Sequence, residues 1–382
     1  MYKWVFIVAI FMNLSACNGD SQKLAISKES LGKEIFNDIS LSRDGTQSCA
    51  SCHNSEHAFS DPRVNLTSVD DLTPGAVSIG QDKASFGDIN APSIAYVAFI
   101  PHFHFDSSEQ LYKGGFFLDG RATDLVEQAK HPFVDPVEMQ NTKEGIVSAV
   151  ESKYGNKTKE LYGDEVFNDT DMAYGAIADA IASFEKTAEF SPFDSRFDKF
   201  LNGETTLSGS EQRGLELFRA EDKANCAACH PVPEVSSSKQ NSLFTDFSYD
   251  NLGVPKNTLV RAANEKGMHF INNGLFNNPL VSNPELKGAF RVSSLRNIAV
   301  TPPYMHNGIF KNLETVVHFY NSRDVDGAIN PETAQPWKLA EVNDTKNTEE
   351  LGDLNLTDED ISDIVAFLKT LTDSKYEYLL DK

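Results

Sequence analysis

The stretch Cys49-Ala50-Ser51-Cys52-His53 decides the fold of this chain, and its pattern returns once, at Cys226-Ala227-Ala228-Cys229-His230. Cys-x-x-Cys-His is the attachment motif of c-type haem, in which two thioethers fix the porphyrin and the adjacent histidine is placed to bind the iron. The two copies use four of the five cysteines of the chain. Zinc is the alternative, but the two cysteine pairs lie much farther apart than those of a zinc ribbon. The sequence therefore predicts two covalently bound haem c groups.

Length and charge limit the class of protein further. A chain of 382 residues is long enough for two domains and processing segments. Its formal net charge of -22 argues against nucleic acid or an anionic membrane surface as a partner. A basic redox partner would be steered towards such a surface, although acidic surfaces often serve only to keep a protein soluble.

The N-terminus has the features of a processing signal. Lys3 precedes the apolar run Trp4 to Met12, which is too short to span a bilayer. The following Leu14-Ser15-Ala16-Cys17 resembles a bacterial lipobox, so we expect residues 1–17 to be a lipoprotein signal peptide and 18–30 a tether. The expected product is periplasmic and membrane-anchored through lipidated Cys17. The alternative, an ordinary secretory signal cleaved nearby, also gives export, which c-type cytochrome maturation requires.

A similar helix precedes each haem motif. The first has Ser30 as its expected cap and an apolar face made of Leu31, Ile35 and Phe36. The second is predicted to begin at the capping box that runs from Ser208 to Glu211. The spacing from Gly32 to Phe36 equals that from Gly214 to Phe218. The repeated spacing predicts that the two helices have equivalent places in two related domains.

Another amphipathic helix follows each motif after long loops. The first is predicted at 171–186, and the second begins near Thr357. Pro192 and Gly203 interrupt the helical pattern between the two halves. We therefore predict a mainly α protein of two cytochrome c-like haem domains, residues 31–195 and 196–382, packed against each other with long loops.

Four loop motifs resemble those of the bacterial di-haem cytochrome c peroxidase and MauG superfamily, and they occur in the family's order. They are Asp119-Gly120-Arg121-Ala122, Pro136-Val137-Glu138-Met139, Leu295-Arg296-Asn297 and Pro303-Tyr304-Met305-His306-Asn307-Gly308. The resemblance covers about residues 31 to 372. It implies a peroxide-reacting haem in the N-terminal domain, with His53 as proximal ligand, and an electron-relay haem in the C-terminal domain, with His230 as proximal ligand.

The resemblance also raises the question of the sixth ligand of the first iron. Many members of the family block this iron with a loop histidine that is released on reduction. No histidine lies between His57 and His102, and His57 is too close to His53 to reach the opposite face of the haem. We therefore expect an iron that is open or holds only water, with ligation by His102 or His104 as the alternative.

Cleavage of peroxide needs a group that takes the proton from the near oxygen and delivers it to the leaving one. By resemblance, Glu138 is the carboxylate for this task, and Gln128 is the neighbouring amide that orients peroxide or water. The alternative for Glu138 is a solvated loop glutamate paired with Lys130 or Arg121.

For the second iron, the family position lies fourteen residues after His306, where typical cytochrome c peroxidases carry methionine and the MauG branch carries tyrosine. This chain has Tyr320. A phenolate ligand would favour oxidised iron. A buried structural tyrosine is the alternative interpretation, and the rival ligands are Met305, His306, His318 and Met268.

Two further family features bear on the region between the haems. The tryptophan usually found before Asp-Gly-Arg is Leu118 here, and the only tryptophan outside the signal is Trp337. Phe116, Phe117 or a nearby tyrosine is the alternative, but phenylalanine is hard to oxidise and leucine cannot be oxidised. A calcium ion is expected on oxygen donors from Asn90, Thr301 and Pro303, although Asn90 and Thr301 could equally be turn residues.

The resulting prediction is a di-haem c-type peroxidase that reduces hydrogen peroxide to water with electrons from a small cytochrome c or cupredoxin. One alternative is a MauG-like enzyme that oxidises side chains of a partner protein through high-valent haem. The other is a non-enzymatic di-haem electron carrier. Contact with the membrane is expected only through the lipid anchor, and homodimers are common in the family.

Overall fold

The computed structural model describes residues 26–65, 75–233 and 242–381. The predicted signal peptide with Cys17, and the tether up to residue 25, lie outside the described residues. Within the described part of the chain, every helix is too short or too polar to cross a membrane.

Helices dominate the described chain, and the strands are short. The helices are α1 (Lys28–Phe36), α2 (Cys49–Cys52), α3 (Leu125–Val134), α4 (Lys143–Tyr162), α5 (Thr170–Glu185), α6 (Arg196–Leu201), α7 (Gly209–Arg219), α8 (Thr258–Ala263), α9 (Leu313–Ser322) and α10 (Asp358–Lys369). The strands form three antiparallel pairs, which are β1 (His104–Asp106) with β2 (Leu111–Lys113), β3 (Tyr249–Asp250) with β4 (Phe290–Arg291), and β5 (Ile329–Asn330) with β6 (Gln335–Pro336). The mainly α character predicted from the sequence is confirmed.

Side-chain caps explain where the helices that flank the motifs begin. The predicted capping box of Ser208 and Glu211 is confirmed at the start of α7. The predicted cap Ser30 is wrong, because α1 begins one turn earlier, after Ser27. Ser30 occupies the third helical position, where its hydroxyl donates to the carbonyl of Ser27 at 2.8 Å. A serine can serve at either end of such a box, so the residue type alone did not fix the register.

Equivalent helix crossings explain the repeated glycines. In the first half, α1 packs across α5 with Gly32 directly against the carbonyl of Ala180. In the second half, α7 packs across α10 with Gly214 directly against the carbonyl of Asp363. A β-carbon at either glycine would collide with main chain, so only glycine permits this close approach. The two halves therefore use the same helix crossing.

Each half has its own large apolar core. One core is formed by residues between 31 and 190, mainly from α1, α4 and α5. The other is formed by residues between 197 and 371, mainly from α6, α7 and α10. Polar contacts join the halves, among them the Tyr249 hydroxyl, which donates to the carbonyl of Gly114 at 2.5 Å.

A buried ion pair holds the loop that carries Leu295-Arg296-Asn297. Arg296 is 1% exposed at its side chain, and both of its terminal nitrogens donate to the carboxylate of Asp198 on α6. The pair lowers the pKa of Asp198 against the opposing effect of burial. A bidentate pair of this kind fixes geometry as well as charge, so it positions the loop against the second core.

Candidate haem sites

Both motif histidines are held in the same way. In the first motif, His53 directly follows α2, and its Nδ1 lies 3.1 Å from the carbonyl oxygen of Phe59. In the second, Nδ1 of His230 lies 2.6 Å from the carbonyl oxygen of Phe244. A carbonyl partner fixes Nδ1 as the protonated nitrogen and leaves Nε2 free for a metal. Burial lowers the pKa of both imidazoles, so both stay neutral, as a metal ligand must be.

The motif cysteines lie beside these histidines, are partly buried and form no disulfide. Burial raises the pKa of Cys49 and Cys52, and the charge of Glu138 adds to the rise at both. Burial likewise raises the pKa of Cys226 and Cys229. Paired, partly buried thiols with an adjacent neutral imidazole are the donor set that haem c requires.

A cavity of about 320 Å³ opens beside the second motif. Its lining includes Cys226, Cys229, His230, Arg291, Met305 and Tyr320. Arg291 is buried, its Nε has no hydrogen-bond partner, and no carboxylate pairs with it among the described residues. Burial lowers the pKa of this guanidinium. A buried cation of this kind calls for an anion, and the propionates of a haem would supply it. The second site therefore fits the group that its motif predicts.

Tyr320 and Met305 face each other in this cavity. The Tyr320 hydroxyl lies 3.9 Å from Sδ of Met305, and burial strongly raises the pKa of this phenol. Of the other rival ligands, His306 also lines the cavity. Met268 is half exposed, and His318 lies near Glu314 on the partly exposed face of α9. The geometry leaves Tyr320, Met305 and His306 as the candidates near the second motif.

The histidine of Pro-Tyr-Met-His is partly buried and neutral. Its ring stacks on Phe290 with 3.8 Å between centroids, and its Nε2 has no hydrogen-bond partner among the described residues. Burial, helped by the charge of Arg261, lowers the pKa of His306 to about 3. Its carbonyl accepts a hydrogen bond from the backbone N–H of Asn90 at 2.8 Å, so this turn also ties the two halves together.

At the first site, Glu138 is the titratable group that stands out. It lies on the turn after α3, where its backbone N–H donates to Asp135 and its carbonyl accepts from Gln81. Burial, together with the charge of Asp135, raises the pKa of Glu138 to about 7. Arg121 opposes that rise but pairs with Asp119 at 2.8 Å. Glu138 is partly buried, and among the described residues no ion pair joins it to Lys130 or Arg121.

The remaining residues predicted for the first site lie around this turn. Gln128 is partly buried on α3, the helix that leads into the turn of Glu138. His57 lies in the turn directly after the motif, with its N–H bonded to the carbonyl of Asn54. His102 and His104 are exposed, and the ring of His104 lies 2.8 Å from the carbonyl of His102. Both therefore sit on the surface at β1.

The residues predicted for calcium come together across the two halves. The side-chain amide of Asn90 lies 2.7 Å from the carbonyl oxygen of Pro303. Thr301 lies two residues before Pro303 in the sequence, and Asn90, Thr301 and Pro303 all line the cavity. Among the described residues there is no group of three or more His, Cys, Asp or Glu side chains suited to a metal. A cation here would therefore rely on amide and carbonyl oxygens, which suit calcium.

Leu118 lines the cavity at the position where the resemblance would place a tryptophan. Its carbonyl accepts a hydrogen bond from the backbone of Arg291 at 2.8 Å. Phe117 stacks under the guanidinium of Arg121 at 3.6 Å and meets the ring of His131 edge-on. Trp337 packs on Phe310 and donates its N–H to a serine hydroxyl.

Three buried groups near the sites escaped the sequence analysis. They are Arg291, Glu185, whose Oε2 has no partner in the described chain, and Tyr96 in the cavity lining. For Arg291 and Glu185 the sequence offers one signal, which is a charged residue next to apolar neighbours, as in Phe290-Arg291-Val292 and Phe184-Glu185. The neighbours of Tyr96 in sequence give no such signal.

Comparison with known proteins shows similarity along nearly the whole chain. Residues 26–206 match the model of a family described as di-haem cytochrome c peroxidase. The methylamine utilization protein MauG of Paracoccus denitrificans is 41% identical over 92% of this chain and 90% of its own length. The cytochrome c551 peroxidase of Nitrosomonas europaea is 32% identical over 92% and 81%. The crystal structure of the diheme peroxidase BthA from Burkholderia thailandensis superposes with a TM-score of 0.80 at 32% identity, covering 91% of this chain and 86% of that one.

Proposed function

Because the chain belongs to the di-haem cytochrome c peroxidase and MauG family, we propose that it is a di-haem c-type peroxidase. It reduces hydrogen peroxide to water with electrons from an external donor protein, such as a small cytochrome c or a cupredoxin. The first site, with Cys49, Cys52 and His53, takes peroxide. The second, with Cys226, Cys229 and His230, receives electrons from outside.

The partly buried carboxyl of Glu138 is the observation that carries this proposal. A general acid–base works best when its pKa lies near the working pH, and the pKa of Glu138 is about 7. Its charge acts on both thiols of the first motif. Electron transfer alone needs no proton-transferring group, so a carboxyl with this pKa beside both motif thiols favours a peroxidase over an electron carrier.

When bound, haem c supplies the redox-active iron at which peroxide is reduced. Glu138 takes the proton from the near oxygen of hydrogen peroxide and returns it to the departing oxygen. Two electrons and two further protons then complete the conversion of one peroxide to two waters. Gln128 orients peroxide or water beside the carboxyl.

At the second site, Tyr320 would hold the iron together with His230, with Met305 as its neighbour. The pKa of the phenol is raised by burial, so it stays protonated unless a cation offsets the cost of the phenolate. A phenolate ligand would lower the reduction potential relative to a thioether. The proposed calcium ion, on Asn90, Thr301 and Pro303, would stiffen the contact between the halves beside this site.

The second candidate is a MauG-like enzyme that oxidises side chains of a partner protein. The observations that favour it are Tyr320 at the second site and the 41% identity to a methylamine utilization protein MauG. Leu118 argues against it, because an aliphatic side chain cannot be oxidised to carry charge between the sites. For either activity we propose the domain division near residue 195, a periplasmic location and an anchor at Cys17.

The test is a low-temperature EPR spectrum of the ferric holoprotein, combined with peroxide consumption in the presence of an electron donor. Wild-type protein and the variants Tyr320→Met and Tyr304→Phe are compared. Tyr304 is the matched control, because it also lines the cavity but donates its hydroxyl to the carbonyl of Ile298 at 3.0 Å.

We expect a high-spin signal from the first site and a second signal that changes in Tyr320→Met but not in Tyr304→Phe. Rapid, repeated peroxide turnover supports the peroxidase. Slow modification of a partner protein without donor-driven turnover supports the second candidate. Two low-spin signals that are unchanged by the Tyr320 substitution, with no reaction towards peroxide, would refute both the peroxidase and the MauG-like enzyme. The electron carrier would then be the remaining interpretation.

A further inference from the structure

Tyr96 connects the two haem sites through its main chain and its side chain. On the side of the first site, its N–H donates to the carbonyl of Phe190 at 2.9 Å. The ring of Phe190 stacks on that of Phe59 with 4.1 Å between centroids. Phe59 in turn provides the carbonyl that anchors Nδ1 of His53. The backbone of Tyr96 therefore rests on the residues that hold the first motif histidine.

The side chain of Tyr96 points the other way, into the lining of the cavity beside the second motif. Its hydroxyl donates to Oδ1 of Asp373 at 2.6 Å, across 277 positions of the sequence. The side-chain amide of Asn297 donates to Oδ2 of Asp373 at 2.7 Å and accepts from the backbone N–H of Asp373 at 2.8 Å, which fixes that carboxylate. Tyr96 is 2% exposed and Asp373 fully buried.

This pairing suits removal of an electron from the phenol. Tyrosine gives up an electron readily only when its proton leaves as well, and a carboxylate at hydrogen-bond distance can take that proton. Burial raises the pKa of Asp373, which makes it a stronger base. Burial also raises the pKa of Tyr96, so the phenol keeps its proton until it is oxidised. The guanidinium of Arg296, 5.1 Å from the ring centre, opposes a positive ring and so favours the neutral radical.

We propose that Tyr96 is a one-electron relay between the two haem sites, with Asp373 as its proton acceptor. This inference rests on the proposed peroxidase function, because hydrogen peroxide is the oxidant. One electron leaves the phenol towards the first site, the O–H bond breaks, and its proton moves to Asp373, which leaves a neutral tyrosyl radical. An electron from the second site then reduces the radical while Asp373 returns the proton. Two such passages deliver the two electrons that each peroxide consumes.

A structural role is the competing explanation, and Tyr304 provides the comparison. Tyr304 is also a buried phenol of the same cavity, 6% exposed. Its hydroxyl donates to a backbone carbonyl, which cannot accept a proton at any accessible pH. Of these two phenols, Tyr96 is therefore the one with a base in place.

The experiment is rapid freeze-quench EPR of the holoprotein after addition of hydrogen peroxide. Wild-type protein, grown with and without ring-deuterated tyrosine, is compared with Tyr96→Phe, Tyr304→Phe and Asp373→Asn. We expect a radical signal that narrows on deuteration, persists in Tyr304→Phe and is lost in Tyr96→Phe. In Asp373→Asn the hydrogen bond remains but the base is gone, so the radical yield should fall.

The rate of electron transfer from the second site to the first is measured by stopped-flow absorbance on the same proteins. It should fall by at least about tenfold in Tyr96→Phe and stay within about twofold of wild type in Tyr304→Phe. Equal rates in all variants, or a signal that does not narrow on deuteration, would overturn the relay and leave the peroxidase intact. A wild-type protein that does not consume peroxide would instead remove the proposed function. The deuteration result needs no substitution, so it stands even if a variant does not fold.

Discussion

Replacing Glu138 with glutamine should slow peroxide reduction and, at neutral and alkaline pH, stabilise the fold. The pKa of this carboxyl is raised to about 7, chiefly by burial and further by Asp135. The protein therefore maintains an ionisable group where ionisation is costly, and the reaction needs that ionised form to take the first proton of peroxide. Glutamine removes the cost and the base together.

The size of the stability effect follows from the pKa. A rise of the pKa from 4.5 to about 7 corresponds to at most about 3 kcal/mol. Between these two values the folded state binds more protons than the unfolded state, so stability falls as pH rises through this window. The full cost is present above about pH 7 and absent below about pH 4.5. Glu138→Gln should thus match wild type near pH 4 and exceed it by up to about 3 kcal/mol near pH 8.

Denaturant unfolding of the holoprotein at these two pH values measures the stability difference, and stopped-flow peroxide consumption measures kcat/KM. We expect kcat/KM to fall by about 10²- to 10⁴-fold. Glu185→Gln is the matched control, because burial raises the pKa of Glu185 to about 8 and no role in turnover is assigned to it. The control should gain alkaline stability and keep its turnover. Full turnover in Glu138→Gln, or a stability difference that does not change with pH, would refute the reasoning.

Three other perturbations test separate parts of the structure. Asp135→Asn removes a charge that raises the pKa of Glu138, so the inflection in the pH profile of kcat/KM should move to lower pH while the maximal rate is kept. Gly214→Ala should lower the free energy of chemical unfolding by about 1–3 kcal/mol, because the new β-carbon meets main chain. Gly175→Ala, with open space around it in α5, should raise that free energy by about 0.5–1 kcal/mol. The reverse order would contradict the helix crossing. Asp198→Asn leaves the buried guanidinium of Arg296 without a negative partner, so the free energy of unfolding should fall by about 3–5 kcal/mol. A fall of less than about 1 kcal/mol would show that the fold does not need the ion pair.

The elements that sequence reasoning found are those whose signals are local. The start of α7 and the helices α5 and α10 were predicted because capping boxes and apolar stripes lie within single helices. The helix α4 was not predicted, although it is the longest in the described chain. Its buried face continues through Tyr154 and Thr158, which do not read as an apolar stripe. The position of its partner α5, and not its own pattern, makes that face internal.

The same distinction applies to the sites. The motif cysteines and histidines are evident from the sequence because haem attachment is a local chemistry. The contact of Tyr320 with Met305 and that of Tyr96 with Asp373 join residues whose separation in sequence carries no signal of proximity. The burial that raises the pKa of Glu138 is likewise a product of the whole fold, and the family resemblance supplied the position but not the electrostatics.

Two sites built on one frame must differ through what the loops add to it. Both halves cross their helices at a glycine, and both anchor Nδ1 of the motif histidine on a backbone carbonyl. Neither feature can therefore assign peroxide to one site and electron transfer to the other. The first site has a carboxyl with a pKa near neutrality, which moves protons. The second has a phenol, a thioether and a buried guanidinium, which tune and hold a redox group. Peroxide reduction needs a group that exchanges the protons of peroxide, so we assign peroxide to the site that holds Glu138. Its removal should leave the ligands and the EPR signal of the second site unchanged.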